Sequence, residues 1–309
     1  MKTCTLLVVG AGAAGISAAV SAWEAGCRDI LLVDRGTKPG GVLLQCSHEG
    51  FGLASFGREL TGPVYASVLA EKLEKTGVRT LFHTEVISIS KNRTALISGF
   101  GMLEQIRFQR LILAAGCREK TIGSLPIAGT RPAGIFTAGQ AQEMMNLLRQ
   151  DLGDHVLILG CGDLGMILAR EFVLRGKHVI AVLEQNTRCG GLARNYHRCI
   201  EKNNVPVFYC TTITEVHGKR RISGVTVRHL DSRKQEFISC DTLIIAIGLV
   251  PEQTLTQELH DADWIACVGN CSRIYDLVDS AVAAAETAGS AFAAGCYPPA
   301  ERNFSTNRR

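Results

Sequence analysis

Short apolar runs recur along the chain, each closed by a glycine or an acidic residue, and they predict buried strands. Residues 5–9 run into Gly10, 30–33 into Asp34 and 110–115 into Gly116. Later, 156–159 run into Gly160, 179–183 into Glu184 and 242–247 into Gly248. Residues 13–25 are small and apolar, as a helix packed tightly on a sheet must be, and 164–175 take the corresponding place in the second series. Residues 61–76 predict another helix, with Pro63 in its first turn. Short strands are expected at 79–83 and 205–209. Residues 84–90, 94–98 and 104–108 predict a three-stranded meander with turns at 91–93 and 99–101. Residues 211–216, 222–230 and 235–239 predict a second, with Lys219-Arg220-Arg221 as a hairpin turn. A strand at 265–268, a turn at Gly269-Asn270 and a long helix over 276–294 close the pattern.

The two series are copies of each other, offset by 150 residues. Gly10, Gly12 and Gly15 match Gly160, Gly162 and Gly165. Gly26, Gly40 and Gly41 match Gly176, Gly190 and Gly191, and Asp34 matches Glu184. Each copy reads strand, glycine turn, helix, strand, with the acid 24 residues after the first glycine. In such a motif the first glycine permits the tight turn and the second lets backbone N–H groups approach a pyrophosphate. The third lets the helix sit close to the strand. The helix start, at Ala13-Ala14 and at Asp163-Leu164, supplies N–H donors and partial positive charge. The acid, with Arg35 or Gln185 beside it, accepts from ribose hydroxyls. Ala115-Gly116 and Gly248 end equivalent strands and leave room beside a bound dinucleotide. The pattern defines an α/β chain of two Rossmann-like three-layer domains, the second inserted in the first. The stretch 264–296 is too short to fold alone and is expected to return to the first domain.

Composition narrows the function. A chain of 309 residues with 46% apolar residues suits about two globular domains. Lys+Arg is 33 against 29 for Asp+Glu, and the net +4 forms no basic stripe, which excludes a nucleic-acid binder. No apolar run approaches the ~18 residues of a membrane span, so none is expected. The apolar start runs straight into the glycine motif and reads as a first strand rather than a signal peptide, so a cytoplasmic protein is expected. None of the twelve cysteines is spaced C-x-x-C, and zinc-ribbon and iron–sulfur spacings are absent, so no metal is expected. The thiols read as small buried hydrophobes in a reducing compartment.

The duplicated motif resembles the two-dinucleotide-domain flavoproteins, which include thioredoxin reductase-like and pyridine nucleotide–disulfide oxidoreductases. The resemblance covers about residues 1–296. It implies an FAD-binding domain at 1–117 and 248–296, an NAD(H)-binding domain at 118–247 and a flexible tail at 297–309. It implies FAD held by Gly10, Gly12, Ala13, Ala14, Gly15, Asp34, Arg35, Gly40, Gly41 and Val42. It further implies FAD contacts by the Val86 backbone, Ala115, Gly116, Gly269 and Asn270. NAD(H) would be held by Gly160, Gly162, Asp163, Leu164, Gly165, Glu184, Gln185 and Gly248. The Glu184 carboxylate would repel a 2′-phosphate and favours NADH, whereas Arg188 keeps NADPH open. Asn270 stands where the family's flavin motif usually has Asp. The stretches from Gly40 to Leu53, Glu59 to Tyr65, Arg131 to Gly139, Gly190 to Asn195 and Asp276 to Asp279 are similar to a bacterial subgroup. Its members are associated with glycerol-3-phosphate dehydrogenase-like flavoenzymes and a small cysteine-containing protein.

Hydride transfer asks the protein for position and electrostatics, while the cofactors carry the chemistry. Cys46, five residues after the Gly-Gly turn, and His48 are the catalytic candidates. Cys46 reads either as a thiolate facing the flavin or as a small buried side chain. His48 reads either as a proton donor or partner contact, or as a side chain satisfying a backbone carbonyl. Phe51 and Phe56 read as core or flavin-pocket walls. Cys46 has no C-x-x-C partner and the inserted domain has no C-x-x-C, so exchange by the usual dithiol route is not expected. The expected function is FAD-dependent electron transfer between NAD(H) and a partner redox centre. The chain would be a subunit of a hetero-oligomeric dehydrogenase, beside a flavin dehydrogenase subunit and a small redox protein. The alternatives are a stand-alone NADH-dependent reductase of oxygen, quinone or thiols, and a structural subunit with degenerate cofactor sites.

Overall fold

The computed structural model describes residues 2–259 and 261–293. The chain divides into two compact units: residues up to Cys117 with those from Pro251 onward, and Arg118–Val250. The expected tail at 297–309 lies outside the described residues.

In the first unit, β1 (Lys2–Val9) leads through Gly10 into α1 (Ala13–Glu24) and β2 (Ile30–Val33). Then come α2 (Gly62–Glu74), β3 (Arg79–Leu81) and the meander β4 (Thr84–Ile89), β5 (Thr94–Gly99) and β6 (Met102–Leu113). In the second unit, β7 (Ile135–Thr137) and α3 (Ala138–Asn146) precede β8 (His155–Leu159), α4 (Asp163–Leu174), β9 (His178–Leu183) and β10 (Val207–Phe208). Its meander is β11 (Thr211–Gly218), β12 (Ile222–His229) and β13 (Gln235–Ile238), followed by β14 (Thr242–Ile245). The chain then returns to the first unit for β15 (Ile265–Cys267) and α5 (Val278–Ala293).

The first unit's sheet runs β3-β2-β1-β6-β5-β4, with β15 paired to the C-terminal end of β6 on the side away from β1. Pairing is parallel around β1 and antiparallel in the meander. The sequence suggests two strands at 104–108 and 110–115; they are one. No turn residue separates Phe108 from Arg110, so the strand stays extended. Its first half pairs with β5, from Gly99↔Met102 to Thr94↔Arg107, and its second half with β15, at Leu111↔Ile265. The second unit has a five-stranded parallel sheet, β7-β14-β8-β9-β10, and a separate four-stranded sheet built on its meander.

Each parallel sheet is covered on one face by helices and on the other by the meander. Ile16, Ala18, Ile30, Leu32 and Phe292 form the helix-side core of the first unit, and Leu7, Leu31, Phe108 and Leu113 its meander side. Ile16 is fully buried and Phe292 nearly so, and each side chain contributes about 1.5–3 kcal/mol. α5 lies so close on α1 that a Cβ at Gly289 would fall on the Ala18 carbonyl oxygen. The Ser21 hydroxyl donates to Glu286 O at 2.8 Å and lies 2.6 Å from Ser290 Oγ. The small residues of α1 thus let a second helix reach its backbone.

Candidate functional site: two copies of one cradle

The two glycine loops repeat each other bond for bond. Gly10 N–H donates to Val33 O at 2.8 Å, and Gly160 N–H to Leu183 O at 2.8 Å. Ala114 N–H donates to Val9 O and Ala246 N–H to Leu159 O, both at 2.8 Å. Gly40 N–H donates to Ala11 O at 2.8 Å, and Gly190 N–H to Cys161 O at 3.0 Å. The packing that demands glycine also repeats: a Cβ at Gly10 or Gly160 would land on the carbonyl oxygen of Ala114 or Ala246. Both residues have positive φ, 104° and 109°, which glycine adopts without penalty.

The opposite face is open. A Cβ at Gly12, Gly116, Gly162 or Gly248 would meet nothing within 4 Å. Gly12 and Gly162 are the N-caps of α1 and α4, and no side chain caps either helix. The first-turn N–H groups at Ala13-Ala14 and Asp163-Leu164 have no acceptor inside their helices. Uncapped donors, a helix dipole and open space form a cradle that fits a dinucleotide pyrophosphate. Asp163, where the first copy has Ala13, is turned to structure: its Oδ1 accepts from Leu192 N–H at 2.8 Å and Asn195 Nδ2 at 2.7 Å.

The two acids brace the loops from within. Asp34 Oδ2 accepts from Ala11 N–H at 2.5 Å and its Oδ1 from Gly36 N–H at 2.6 Å. Glu184, 7% exposed, accepts from Cys161 N–H at 3.0 Å through Oε2. Its Oε1 takes Asn186 N–H at 2.9 Å and Asn186 Nδ2 at 2.7 Å. The spacing of these acids points to ribose; their bracing of the loops appears only in the folded chain. Arg35, Gln185 and Arg188 beside them are exposed.

The remaining first-unit candidates cluster partly around this loop. A parallel bridge joins Gly12 to Gly40, and Gly41 packs against Gly12. Gly269, at φ 66°, presses on Ala14 so closely that a Cβ would lie 2.6 Å from the Ala14 Cβ. Asn270 Oδ1 accepts from Tyr275 N–H at 3.1 Å, and its Nδ2 lies 3.7 Å from Cys117 Sγ. Ala115 and Gly116 follow β6 directly. Val42 is 63% exposed, whereas the Val86 side chain, on the meander strand β4, is buried in the core and its backbone pairs with Ile97. Cys46 is buried at the start of α2. Its thiol donates to Val42 O at 3.3 Å, and its carbonyl accepts from Gly62 N–H at 2.9 Å. His48 Nδ1 meets Glu49 O at 3.0 Å and its ring lies 5.0 Å from Phe51. Phe51 packs on the core, but Phe56 is an exposed ring set edge-on to Tyr65, so it is not a core side chain. Its short helix, Leu53–Phe56, buries no residue.

The thiols also depart from expectation. Among the described residues Cys4, Cys46, Cys199, Cys240 and Cys271 are buried thiols, and burial pushes Cys4 and Cys240 up to about 12, which keeps them inert at neutral pH. Cys161 and Cys189, however, are joined in a disulfide with a Cα–Cα distance of 4.9 Å. The bond spans 28 residues, far from C-x-x-C spacing. The offset of 150 carries the signal: these positions match Ala11 and Pro39, which the Gly40 contact also brings together. Among the described residues no group of His, Cys, Asp and Glu could hold a metal ion, and no helix is long and apolar enough to cross a membrane.

A dinucleotide cradle built twice on three-layer units defines a flavin- and nicotinamide-dependent oxidoreductase architecture. The chain belongs to the pyridine nucleotide-disulphide oxidoreductase family, whose model matches residues 4–272. Members of this family are FAD-dependent NAD(P)H oxidoreductases, binding FAD and NAD(P)H. The chain is 28% identical over 256 residues to sarcosine oxidase subunit alpha of Rhizobium meliloti, covering 80% of this chain and 24% of that protein. It is 25% identical over 286 residues to hydrogen cyanide synthase subunit HcnB of Pseudomonas protegens, covering 82% of this chain and 58% of that one. The chain thus spans less than two thirds of either relative. Thioredoxin reductase of T. acidophilum shares the fold, with a TM-score of 0.79 at 19% identity over 96% of this chain and 99% of that one.

Proposed function

We propose that this chain carries electrons between NAD(H) and a partner redox centre through FAD, as one subunit of a metabolite-oxidising complex. The observation that carries the reading is the repeated cradle, with open space and free helix N–H donors in both units. FAD belongs to the first unit. Gly12, Ala13 and Ala14 would hold its pyrophosphate, Asp34 its ribose, and Gly269 and Asn270 its ribityl–phosphate end. NAD(H) belongs to the second, at Gly162, Asp163, Leu164 and Glu184. When bound, the nicotinamide donates or accepts hydride and the flavin passes electrons singly or in pairs. The chain's own part is to bind and orient. The α1 and α4 N-termini offer N–H groups to phosphate, the Asp34 and Glu184 carboxylates fix the loops and would meet the ribose hydroxyls, and Ala115-Gly116 keep the strand end narrow. A carboxylate at Glu184 disfavours a 2′-phosphate, so NADH is the expected nicotinamide.

The subunit reading draws on two relatives, each named as a subunit of an oxidase or synthase, and on the sequence around Cys46, which has no C-x-x-C spacing. The subgroup resemblance adds a glycerol-3-phosphate dehydrogenase-like flavoenzyme and a small cysteine-containing protein as partners, and the metabolite they oxidise would be a glycerol-phosphate or an amine. The test is the visible spectrum of the purified chain, followed by NADH without oxygen. A flavin spectrum that bleaches within seconds, with slow turnover on oxygen, quinone or disulfide, is the expected result. A colourless chain, or flavin that NADH leaves oxidised, would overturn it. Rapid turnover by the lone chain would favour a stand-alone reductase.

A further inference from the structure

The Cys161–Cys189 bond sits where the nucleotide cradle is tied together. Cys161 lies between the first two glycines of the loop. Its N–H is held by Glu184 and its carbonyl by Gly190 N–H. Cys189 precedes Gly190-Gly191, whose chain continues to Leu192 and the Asp163 carboxylate at the head of α4. In the first copy the same place is filled by Ala11 and Pro39, and the Gly40–Ala11 contact forms at 2.8 Å without a covalent bond. The backbone arrangement therefore does not need the crosslink, which is an addition peculiar to the second copy. Access to the two sulfurs differs. Cys161 is fully buried, whereas Cys189 is only half-buried, with its sulfur 3.7 Å from Tyr209 Oη.

We propose that Cys161 and Cys189 form a thiol–disulfide site at which a glutathione-class disulfide or thiol sets the affinity of the second-unit cradle for NAD(H). The proposal rests on the reading that this copy takes NAD(H). In the oxidising direction, the Cys189 thiolate attacks the small disulfide, forms a mixed disulfide and releases one thiol. The Cys161 thiolate then displaces the second thiol and closes the protein bond. Two protein thiols are oxidised, one small disulfide is reduced to two thiols, and the two protons leave with them. Excess small thiol or dithiol runs the same steps backward. Closed, the bond holds the segment at 185–192 against the glycine loop before the nucleotide arrives. Open, the segment keeps only its hydrogen bonds, and binding must also order it. An added ordering cost near 1.4 kcal/mol weakens binding about tenfold.

The test uses the full, flavin-loaded chain equilibrated with oxidised glutathione or with dithiothreitol. Each sample is alkylated and peptide-mapped, and NAD⁺ is titrated calorimetrically. The expected result is a peptide crosslinked through Cys161 and Cys189 in the oxidised sample, its loss on reduction, and NAD⁺ binding about tenfold tighter when oxidised. The Cys161→Ala/Cys189→Pro variant carries the first copy's pair into the second and is expected to bind NAD⁺ equally in both buffers. Equal binding by the parent chain in both states, or a bond that the folded chain will not open, would overturn the proposal. NAD⁺ binding in neither state would overturn the nucleotide reading and the proposal with it. The peptide map tells these failures apart, since it reads the bond without the nucleotide.

Discussion

Replacing Glu184 by alanine tests whether the acid at the end of β9 holds the cradle or serves only the ribose. The substitution removes the acceptor for Cys161 N–H at 3.0 Å and for both Asn186 donors at 2.9 and 2.7 Å. Asn186 is exposed and turns its donors to water. Cys161 is fully buried, so its amide has nowhere to turn, and an orphaned buried donor costs about 1–3 kcal/mol. With the charge-assisted part of the other two bonds, the loss comes to about 2–3 kcal/mol. In a unit of this size that lowers Tm by about 5–10 °C. Thermal melts followed by far-UV circular dichroism read it, with NAD⁺ calorimetry alongside. Glu184→Gln keeps one oxygen acceptor for Cys161 and is expected to recover about half of the loss. A Glu184→Ala protein melting within about 1 °C of the parent would refute the bracing role, whatever happened to the nucleotide.

Three further outcomes follow from the geometry. Gly289→Leu forces a side chain into the Ala18 carbonyl between α1 and α5 and is expected to destabilise the first unit by about 1–3 kcal/mol, read by urea titration of tryptophan emission from Trp23 and Trp264, both in that unit. Burial raises the Asp241 carboxyl, but hydrogen bonds from the Thr242 hydroxyl and the Asp154 and His155 amides outweigh it and hold the group below its ordinary 3.8. Its stabilising contribution is therefore full above that value and lost as pH falls through the lower folded-state value, so acid melts of Asp241→Asn should lack this part of the parent's decline at the lowest pH. Cys46→Ser is expected to leave the anaerobic bleaching of flavin by NADH within about twofold, because the thiol is committed to the Val42 carbonyl; a loss of about a hundredfold in stopped-flow rate would make it a redox participant.

Much of the fold was legible because its signals are local. Apolar runs ending in glycine marked β1, β8 and β14, and the offset of 150 made each copy a check on the other. What escaped lies in long-range contacts. Nothing between Phe108 and Arg110 announces that one strand serves two halves of a sheet, since that depends on β5 and β15 arriving from distant parts of the chain. Phe56 looked apolar enough for a core, yet its one-turn helix buries nothing. Asp34 and Glu184 were visible as acids at the right spacing, but their hold on Ala11 and Cys161 needs the loop folded back on itself. The Cys161–Cys189 pair was hidden because cysteine spacing was read along the chain, while the contact is made by Gly190 against the glycine loop.

The return of the chain to the first unit has a consequence for synthesis. On the ribosome, α1 emerges early with the Ala18 and Ser21 face that α5 covers left open, and α5 begins only at Val278. All of Arg118–Val250 must be translated in between, which at ~5–20 residues per second takes on the order of ten seconds. When that interval ends the nascent first unit still lacks both β15 and α5, while the second has just gained β14, its last strand. The second unit can thus mature ahead of the first, which stays unfinished until α5 closes over the small-residue face of α1.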